Sequence, residues 1–583
     1  MTKEKNLNEL LKQAKSLIKA KEFNKAILAY EVILKEDNKD PEALSHLAIL
    51  YLMKHRYIDT INMIHRSFKV TIPIIGDYQN LATAYNALKD FKNSIKAYEE
   101  IIKINPNVPE IYTYLGNAQM KVVDYEGAID SYRKALAMAP DKFQSIYDYG
   151  IILAKCLHHE EALKYLREAL KIESDHLICM NIIGECLAAT LDYEGAKIMY
   201  EKLKTLMPDA VGPHIDYAAC LIYEGKYDEP VKILKDVLIK KPNSLIARNN
   251  LGMLYLVNKK FKEAWEYIDA RILLKNEIDI TKRYDMLKTL IELDVDKKEL
   301  KKDEKIIILL DSGIGDVILG LSMLKEFHKK FKNISAEVDY RLVDLFKRSF
   351  PRIEFYAVHE NRHEFLINYD LSLFDKGIYW GSLGKYLRQG ISDFPKKEIA
   401  YLTPDITQMN IIKNKIKIDD KLICGISWKS SAQEGKHKTA LLKDLLPIFE
   451  LKDIHFLDLQ YESKKSVGQT ELEKEKIFKE NNIKIDDYED VDKFSDLDGL
   501  TALISNCDII VTSSNVTAHI AGALGKKTFL FVPFQRGKLW YWSEEEGVSL
   551  WYPSIKIFTA ESSHGWGKVF EKIAGTIKKE LSL

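Results

Sequence analysis

The first half of this 583-residue chain repeats itself every 34 residues. Small residues recur in two phases of the period, and a bulky residue recurs in a third. The first phase holds Ala48, Ala82, Gly116, Gly150, Gly184, Ala218 and Gly252, the second holds Ala128, Ala162, Ala196 and Ala264, and the third holds Tyr98, Tyr132, Leu166 and Tyr200. Prolines close several units at Pro106, Pro140, Pro208 and Pro242. Since small residues permit two helices to cross closely, this spacing predicts stacked helical pairs.

The pattern resembles the tetratricopeptide repeat, a helix–turn–helix unit of about 34 residues. The register holds over at least six units, and weaker units extend it to about eight, over residues 1–275. The resemblance implies an α-solenoid whose concave face binds a protein partner. The side chains expected on that face are His46, Asn80, Tyr114, Asp148, Ile182, Asp216 and Asn250. Most are polar and suited to a peptide backbone; a solvated face without a ligand is the alternative.

Composition argues against several classes of partner. Lys and Arg number 86, and so do Asp and Glu, which leaves no net charge to attract nucleic acid or an anionic membrane surface. The six cysteines lack CxxC spacing, which favours reduced thiols over disulfides or a zinc site. The N-terminal stretch is polar, and the sequence contains no apolar run of transmembrane length. A cytoplasmic protein without a transmembrane segment is therefore expected.

The second half alternates between strand-like and helix-like segments. A charged helical connector is predicted at 276–304, followed by α/β units at 305–405 and 420–583. Continuous apolar runs at the predicted strands indicate parallel sheets buried on both faces. The expected fold is thus an α-solenoid followed by two doubly wound, Rossmann-like α/β domains. The closing helix, near 569–581, is expected to cross back to the first α/β unit.

A glycine-containing turn follows the first predicted strand of the α/β region. Gly313 and Gly315 allow a tight backbone turn, and Asp316 falls where a helix begins. The segment has neither the GxGxxG fingerprint nor the lysine of a Walker loop. Asp316 is either a first-turn acid stabilised by the helix dipole, or a carboxylate placed to take a proton from an acceptor hydroxyl.

A second strand-to-helix turn, in the second α/β unit, is rich in small polar residues. Ser513, Ser514 and Asn515 supply helix-capping side chains, His519 lies one turn into the helix, and Gly522 permits close packing. Helix starts at strand carboxyl ends suit phosphate groups, so this turn is a candidate nucleotide-sugar site. The alternative is an ordinary βαβ unit with a core histidine.

Two lysines follow the first predicted strand of that unit. Lys429 and Lys438 would face the same cleft and suit a diphosphate, although lysines in such a segment also occur as solvated surface residues.

Several segments together carry a resemblance to a known enzyme family. They are, in chain order, GIGDV, CGISWKSS with HKTALL, HFLDLQYE, the block 506–525, and LWYW followed by SLWYPSIKIF. The set resembles glycosyltransferases of the ADP-heptose:lipopolysaccharide heptosyltransferase type, which have the GT-B fold. More closely, the chain resembles bacterial proteins that fuse tetratricopeptide repeats to such a domain, including their junction AWEYIDAR. The resemblance covers essentially the whole chain.

The resemblance implies an inverting, metal-independent transfer from a nucleotide-diphospho-sugar to a protein or glycan acceptor, with no cofactor. Asp316 matches the family's proposed general base, Lys438 a basic residue on the donor side, and His519 the histidine of the pattern DTxxxHLAGALG. His519 and Lys438 would stabilise the departing nucleotide. Ser514 stands where the family has aspartate, and Asn515 where it has threonine.

Two other functions fit the same residues. The chief alternative is a non-enzymatic interaction scaffold with a degenerate transferase-like domain, for which Ser514 is the argument. A GT-B sugar epimerase would need further acid/base carboxylates that the sequence does not identify. The aromatic residues Trp540, Tyr541, Trp542, Trp551 and Tyr552 are expected to be mainly structural.

Overall fold

The computed structural model describes residues 2–278, 287, 292–293, 299–359, 369–397, 400–416, 421–430, 438–462, 468–534, 538–561 and 565–582. They form two compact units, Met1–Pro213 and His214–Leu583. Of the connector predicted at 276–304, residues 279–286, 288–291 and 294–298 lie outside the described residues.

The first unit is a series of helical pairs. Its helices are α1 (Thr2–Lys19), α2 (Phe23–Glu36), α3 (Pro41–Met53), α4 (Tyr57–Ser67), α5 (Ile75–Ala87), α6 (Phe91–Ile104), α7 (Pro109–Lys121), α8 (Tyr125–Met138), α9 (Phe143–Lys155), α10 (His159–Ile172), α11 (Leu177–Ala189) and α12 (Tyr193–Leu206). Consecutive helices pack on each other, α1 on α2, α3 on α4 and onward to α11 on α12. The predicted helical solenoid is confirmed.

The turn inside each pair adopts one recurring backbone conformation. A residue with φ between 58° and 78° occurs at Lys21, His55, Lys89, Val123, Leu157, Leu191, Gly225 and Lys259, a spacing of 34 residues throughout. Only Gly225 is a glycine, so seven of these left-handed residues carry a side chain that disfavours the conformation. Each of these residues strains the backbone locally. The turn is nevertheless adopted because it sets the path of the chain that lets the two helices of a pair pack together.

The small residues of the first phase accommodate the bulky residues of the third. A methyl group placed on Gly116 would lie 3.0 Å from the Tyr132 ring, and one on Gly184 would lie 2.7 Å from the Tyr200 ring. Larger side chains at these glycines would separate the helices. The sequence period therefore marks a real packing contact, repeated from pair to pair.

The second unit begins with the remaining repeat helices and continues into the α/β region. Its helices are α13 (Gly212–Tyr223), α14 (Asp228–Lys240), α15 (Leu245–Val257), α16 (Phe261–Ala264), α17 (Ala270–Ile278), α18 (Ile314–Leu321), α19 (Leu324–Lys330), α20 (Val343–Ser349), α21 (Gly384–Leu387), α22 (Ile406–Lys415), α23 (Leu446–Phe449), α24 (Gln469–Asn481), α25 (Leu497–Ser505), α26 (Val516–Ala523) and α27 (Gly567–Leu581). Short 3₁₀ turns include Tyr340–Leu342, Leu371–Leu373, Trp380–Ser382, Ile391–Asp393, Leu442–Leu445 and Trp540–Trp542.

The strands of this unit form two sheets. They are β1 (Glu292–Leu293), β2 (Lys305–Leu309), β3 (Asn333–Asp339), β4 (Glu354–Val358), β5 (Lys376–Tyr379), β6 (Leu422–Ser427), β7 (Ile454–Asp458), β8 (Ile485–Asp486), β9 (Ile509–Ser513), β10 (Thr528–Val532), β11 (Glu544–Glu545), β12 (Val548–Ser549) and β13 (Ile555–Thr559). The first sheet, β1-β5-β2-β3-β4, is parallel throughout. The second has the order β11-β12-β13-β10-β9-β6-β7-β8 and is antiparallel only at β11, β12 and β13. The predicted α/β region with parallel sheets is confirmed.

The closing helix α27 packs against the second sheet and does not cross back to the first. Phe570, Ile573 and Ile577 of this helix are fully buried in one core with residues of β6, β9 and β10. The expectation of a crossing helix is wrong. The helix α27 packs on β13 and on α23, so its apolar face is buried against the second sheet and not against the first.

The last repeat helices pack on the α/β region and belong with it to the second compact unit, His214–Leu583. Trp265 Nε1 donates a hydrogen bond to the Arg388 carbonyl oxygen at 2.6 Å. A methyl group on Gly384 would lie 2.3 Å from the Trp265 ring. Arg271 donates to the Asp311 carboxylate at 2.9 Å. These contacts join the end of the array to the first sheet.

Candidate active site

Two strand-end turns, one from each sheet, meet in the second unit. Gly313 precedes α18, which follows β2, and Asn515 precedes α26, which follows β9. The helices α18 and α26 pack together. A methyl group on Gly315 would lie 2.7 Å from Cδ2 and 2.9 Å from Nε2 of His519. Two turns about 200 residues apart in sequence are therefore in direct contact, and their closest approach requires a glycine.

Asp316 lies in the first turn of α18, partly buried, next to the aromatic residues that surround His519. Burial raises the pKa of Tyr541 and Tyr552 well above the usual range, and the nearby Asp316 carboxylate raises both further. Both tyrosine rings contact His519, with centroids 5.2 Å and 5.8 Å from the imidazole. The structure thus brings Asp316 and His519 into one neighbourhood.

His519 itself is enclosed. It is 2% exposed, its Nδ1 lies 2.9 Å from the Tyr552 hydroxyl, and its ring packs against Trp542 in a tilted arrangement with centroids 4.9 Å apart. Burial, together with the Lys438 charge, lowers the pKa of His519 to about 3. The imidazole is consequently neutral at neutral pH and holds no charge to offer a diphosphate. In this arrangement it supports the Gly315 turn.

The capping residues of α26 bond within the protein. Asn515 Oδ1 accepts from the Ala518 amide at 3.3 Å, as the sequence predicted for an N-cap. The same side chain donates to Ser427 Oγ at 2.7 Å, to the Lys429 carbonyl at 3.1 Å and to Ser513 Oγ at 3.2 Å. Asn515 therefore ties the carboxyl end of β6 to that of β9.

Ser514 Oγ accepts a hydrogen bond from Trp542 Nε1 at 2.8 Å and is 4% exposed. An aspartate at this position would offer the same indole a stronger, charged acceptor. The serine makes the contact without a negative charge.

The two predicted lysines differ in surroundings. Lys429 Nζ forms an ion pair with Glu473 at 2.9 Å, and the same carboxylate group accepts from Trp428 Nε1 at 2.9 Å. Lys438 is 6% exposed and close enough to His519 for its charge to act on that imidazole. Of the two, Lys438 is the one whose charge acts on His519.

Gly522 serves packing. A methyl group there would lie 2.5 Å from Tyr552 Cδ1, so the glycine lets the Tyr552 ring reach His519. Four of the five aromatic residues predicted to be structural are buried, namely Tyr541, Trp542, Trp551 and Tyr552. The enclosure of His519 by Tyr541, Trp542 and Tyr552 was not predicted. The only signal for it was the density of aromatic residues that follows β10.

Among the described residues, no group of three His, Cys, Asp or Glu side chains is arranged to hold a metal ion. No helix of the described chain combines the length and the apolarity needed to cross a bilayer.

Comparison with known proteins identifies the repeats. The tetratricopeptide repeat family matches residues 78–108 and 109–142. The N-terminal helical array contains tetratricopeptide repeats. Repeats of this kind bind proteins on an extended concave surface, which supports a protein partner for this chain.

The chain is similar to Protein FlbA of Caulobacter vibrioides (strain ATCC 19089 / CIP 103742 / CB 15), with 26% identity over 289 residues. The match covers 48% of this chain and 47% of FlbA, so the chain spans about half the length of that relative.

Two solved structures are among those similar to part of this chain. YrrB, a TPR protein with an unusual peptide-binding site, is 19% identical, covering 31% of this chain and 96% of its own, with a TM-score of 0.28. The C-terminal part of a TPR repeat-containing protein from Cytophaga hutchinsonii is 16% identical, covering 41% of this chain and 99% of its own, with a TM-score of 0.37.

Proposed function

We propose that the α/β region is a GT-B glycosyltransferase that moves a sugar from a nucleotide-diphospho-sugar to a protein or glycan acceptor, and that the repeats bind the acceptor or a partner protein. One observation carries the proposal: Gly315 packs on His519. Ligands of parallel α/β sheets collect beyond the strand carboxyl ends. Here the turns that follow β2 and β9 are in contact, and in the proposed enzyme the first belongs to the acceptor side and the second to the donor side.

In this proposal Asp316 is the general base. Its carboxylate takes the proton of an acceptor hydroxyl while that oxygen attacks the anomeric carbon. The bond between the sugar and the nucleoside diphosphate breaks in the same step, and the configuration inverts. Lys438 and the amino-terminal end of α26 offset the charge of the departing diphosphate, because a cation and a helix start both stabilise phosphate oxygens.

His519 has a positioning role in this mechanism. Its neutral ring supports the Gly315 turn and, through that turn, sets the place of Asp316. Ser513, Ser514 and Asn515 likewise shape the donor side through their hydrogen bonds to Trp542, Ser427 and one another. Donor contacts from Lys429 would require its ion pair with Glu473 to open.

A non-enzymatic scaffold is the second candidate, and specific contacts favour it. Ser514 has lost the carboxylate of the family, and the Lys429 ammonium is paired within the chain. A scaffold would keep the same packing without binding a nucleotide-sugar.

Titration with a panel of UDP-, GDP-, dTDP- and ADP-sugars, followed by thermal shift and calorimetry, separates the two candidates. A transferase binds one of them, and Asp316→Asn keeps that affinity while turnover falls about 10²–10⁴-fold. Asp344→Asn, an exposed first-turn aspartate of α20 in the same sheet region, is the matched control and should change neither value. Absence of binding across the panel would support the scaffold.

A further inference from the structure

A cavity of about 600 Å³ lies between the last repeat helices and the loop that follows β10. Its walls come from α13 and α15 on one side and from residues 538–544 on the other, all within the second compact unit. This volume is in the range of known ligand sites. The cavity differs from the candidate active site, since neither Asp316 nor His519 lines it.

The cations of the cavity are already paired. Lys259 Nζ donates to the Glu544 carbonyl at 2.5 Å. Lys538 Nζ contacts the Glu544 carboxylate at 3.4 Å and Thr559 Oγ1 at 3.1 Å. The Glu544 carboxylate offsets one of the two lysine charges, so these three residues together leave a net charge of about +1. A peptide segment, whose backbone carries no formal charge, is compatible with this arrangement.

Two adjacent carboxamides are available to such a ligand. Asn249 and Asn250 line the cavity, are partly buried, and make no side-chain hydrogen bond to another described residue. A carboxamide donates and accepts, which complements a peptide group. Asn250 also occupies the concave-face position of its repeat. Ile222 and Met253 add an apolar wall for a side chain of the ligand.

The cavity adjoins the candidate active site through one residue. Trp542 lines the cavity, donates to Ser514 Oγ at 2.8 Å, and packs against His519 in a tilted arrangement with ring centroids 4.9 Å apart. Trp542 thus belongs both to the cavity lining and to the aromatic residues around His519.

We infer that this cavity binds an extended segment of the acceptor polypeptide, with peptide groups on Asn249 and Asn250 and an apolar side chain against Ile222 and Met253. The segment then leads a neighbouring residue toward the strand-end turns. Naming the segment an acceptor rests on the proposed function; the binding of a peptide does not.

A phage-displayed library of random dodecapeptides, selected on the full chain without nucleotide-sugar, supplies the probe. Fluorescein-labelled copies of the enriched peptides are titrated by anisotropy against wild type, the double variant Asn249→Ala/Asn250→Ala, and Met253→Trp, which fills the cavity. Both variants should weaken binding at least about ten-fold, equivalent to about 1.4 kcal/mol. Asn243→Ala, at an exposed asparagine just before α15 that does not line the cavity, is the matched control and should leave affinity unchanged. Thermal melts establish that each variant is folded.

Hydrogen exchange of the wild type provides a reading that does not depend on variants: bound peptide should protect 245–257 and 538–544. Enriched peptides that ignore the cavity variants, or a library that yields none, would overturn the inference. So would maltooligosaccharide binding that the cavity variants abolish, since the site would then be a glycan site. Peptide binding at the cavity without any nucleotide-sugar binding would refute the transferase and leave the peptide site standing.

Discussion

The repeats and the α/β region use glycine for the same purpose at very different distances along the chain. In the repeats, Gly116 accommodates Tyr132 and Gly184 accommodates Tyr200, sixteen residues later in each case. In the α/β region, Gly315 accommodates His519 about 200 residues later. A contact repeated at constant separation leaves a period in the sequence, whereas a single long-range contact leaves none. The two regions therefore differ in how far their packing can be inferred from one sequence.

The difference has an energetic side as well. In a repeat array each unit contacts its neighbours only, so a disturbance there should remain local. In the α/β region the Gly315–His519 contact is one of several that join the two sheet regions, so a disturbance there should spread. All seven tryptophans lie between residues 265 and 566, within the second unit. Tryptophan fluorescence consequently follows that unit alone, and peptide-resolved hydrogen exchange follows the first.

The largest effect is expected for a buried aromatic residue of the α/β region. Trp551 is 2% exposed and packs edge-on against Phe394 at 4.8 Å and Trp540 at 5.8 Å. Trp551→Ala should lower the free energy of unfolding by about 3–5 kcal/mol, because it leaves a large cavity. Urea unfolding followed by tryptophan fluorescence measures the change.

Trp551→Phe is the matched control. The Trp551 Nε1 has no hydrogen-bond partner among the described residues, so its removal costs nothing in hydrogen bonding, and the loss should be much smaller. An unchanged melting temperature for Trp551→Ala, combined with lost nucleotide-sugar binding, would show that this residue contacts ligand and is not structural.

A pair of glycine substitutions compares the two regions directly. In both Gly184→Ala and Gly315→Ala the new methyl group lies 2.7 Å from a ring atom, of Tyr200 and His519 respectively. Each should cost about 1–3 kcal/mol through overpacking. Amide hydrogen exchange in the helical pair at residues 177–206 should accelerate for Gly184→Ala and not for Gly315→Ala. Gly315→Ala should also reduce glycosyl transfer, since it displaces the Asp316 turn. Equal effects of both variants on transfer would contradict a local repeat array.

Particular residues mark what the sequence could predict. The N-cap at Asn515, the parallel strands and the repeat register follow from residue type and spacing, and each is confirmed. The aromatic enclosure of His519 and the Lys429–Glu473 pair depend on which distant segments meet, and residue type does not encode that. The left-handed turn at Val123 was not predicted for another reason: a valine side chain disfavours a positive φ, so the residue type points away from such a turn. The roles of Asp316 and Lys438 stay predictions.

The stabilities of the two regions should depend on pH in opposite senses. The pKa of His519 is lowered by burial from 6.5 to about 3, so the unfolded state binds a proton that the folded state rejects. Stability from this group is complete above pH 6.5 and falls as the pH drops toward 3, by at most about 1.4 kcal/mol per pH unit. Fluorescence-detected unfolding of His519→Gln should show a flatter slope than wild type between these limits.

Asp148 of the repeats should behave in the opposite sense. Burial raises its pKa from 3.8 to about 6, and among the described residues one of its oxygens is hydrogen-bonded, to Gln144 Nε2 at 2.8 Å, while the other has no partner. The folded state retains the proton, so stability from this group is complete below pH 3.8 and is lost as the pH rises through 6. Asp148→Asn should therefore slow exchange in 143–155 at neutral pH and leave it unchanged near pH 4. The same shift at both pH values would rule out titration as the cause.

The smallest effect concerns the left-handed turns. Val123 has φ 64° and is 66% exposed, so its side chain gains little from packing and strains the backbone. Val123→Gly removes that strain, worth about 1–2 kcal/mol for a left-handed residue, but adds about 0.5–1 kcal/mol of chain entropy to the unfolded state. The net gain should be about 0.5–1 kcal/mol, read as slower exchange in the adjoining helices 109–121 and 125–138. Gly225→Val, at the same phase, should lose a similar amount of stability.

Leu28→Gly, on an exposed face inside α2, is the control. It should lose about 1 kcal/mol and shows the cost of glycine where φ is negative. A loss for Val123→Gly comparable to that of Leu28→Gly would mean that the Val123 side chain, and not the shared turn, stabilises this repeat, and the eight turns would then no longer be equivalent.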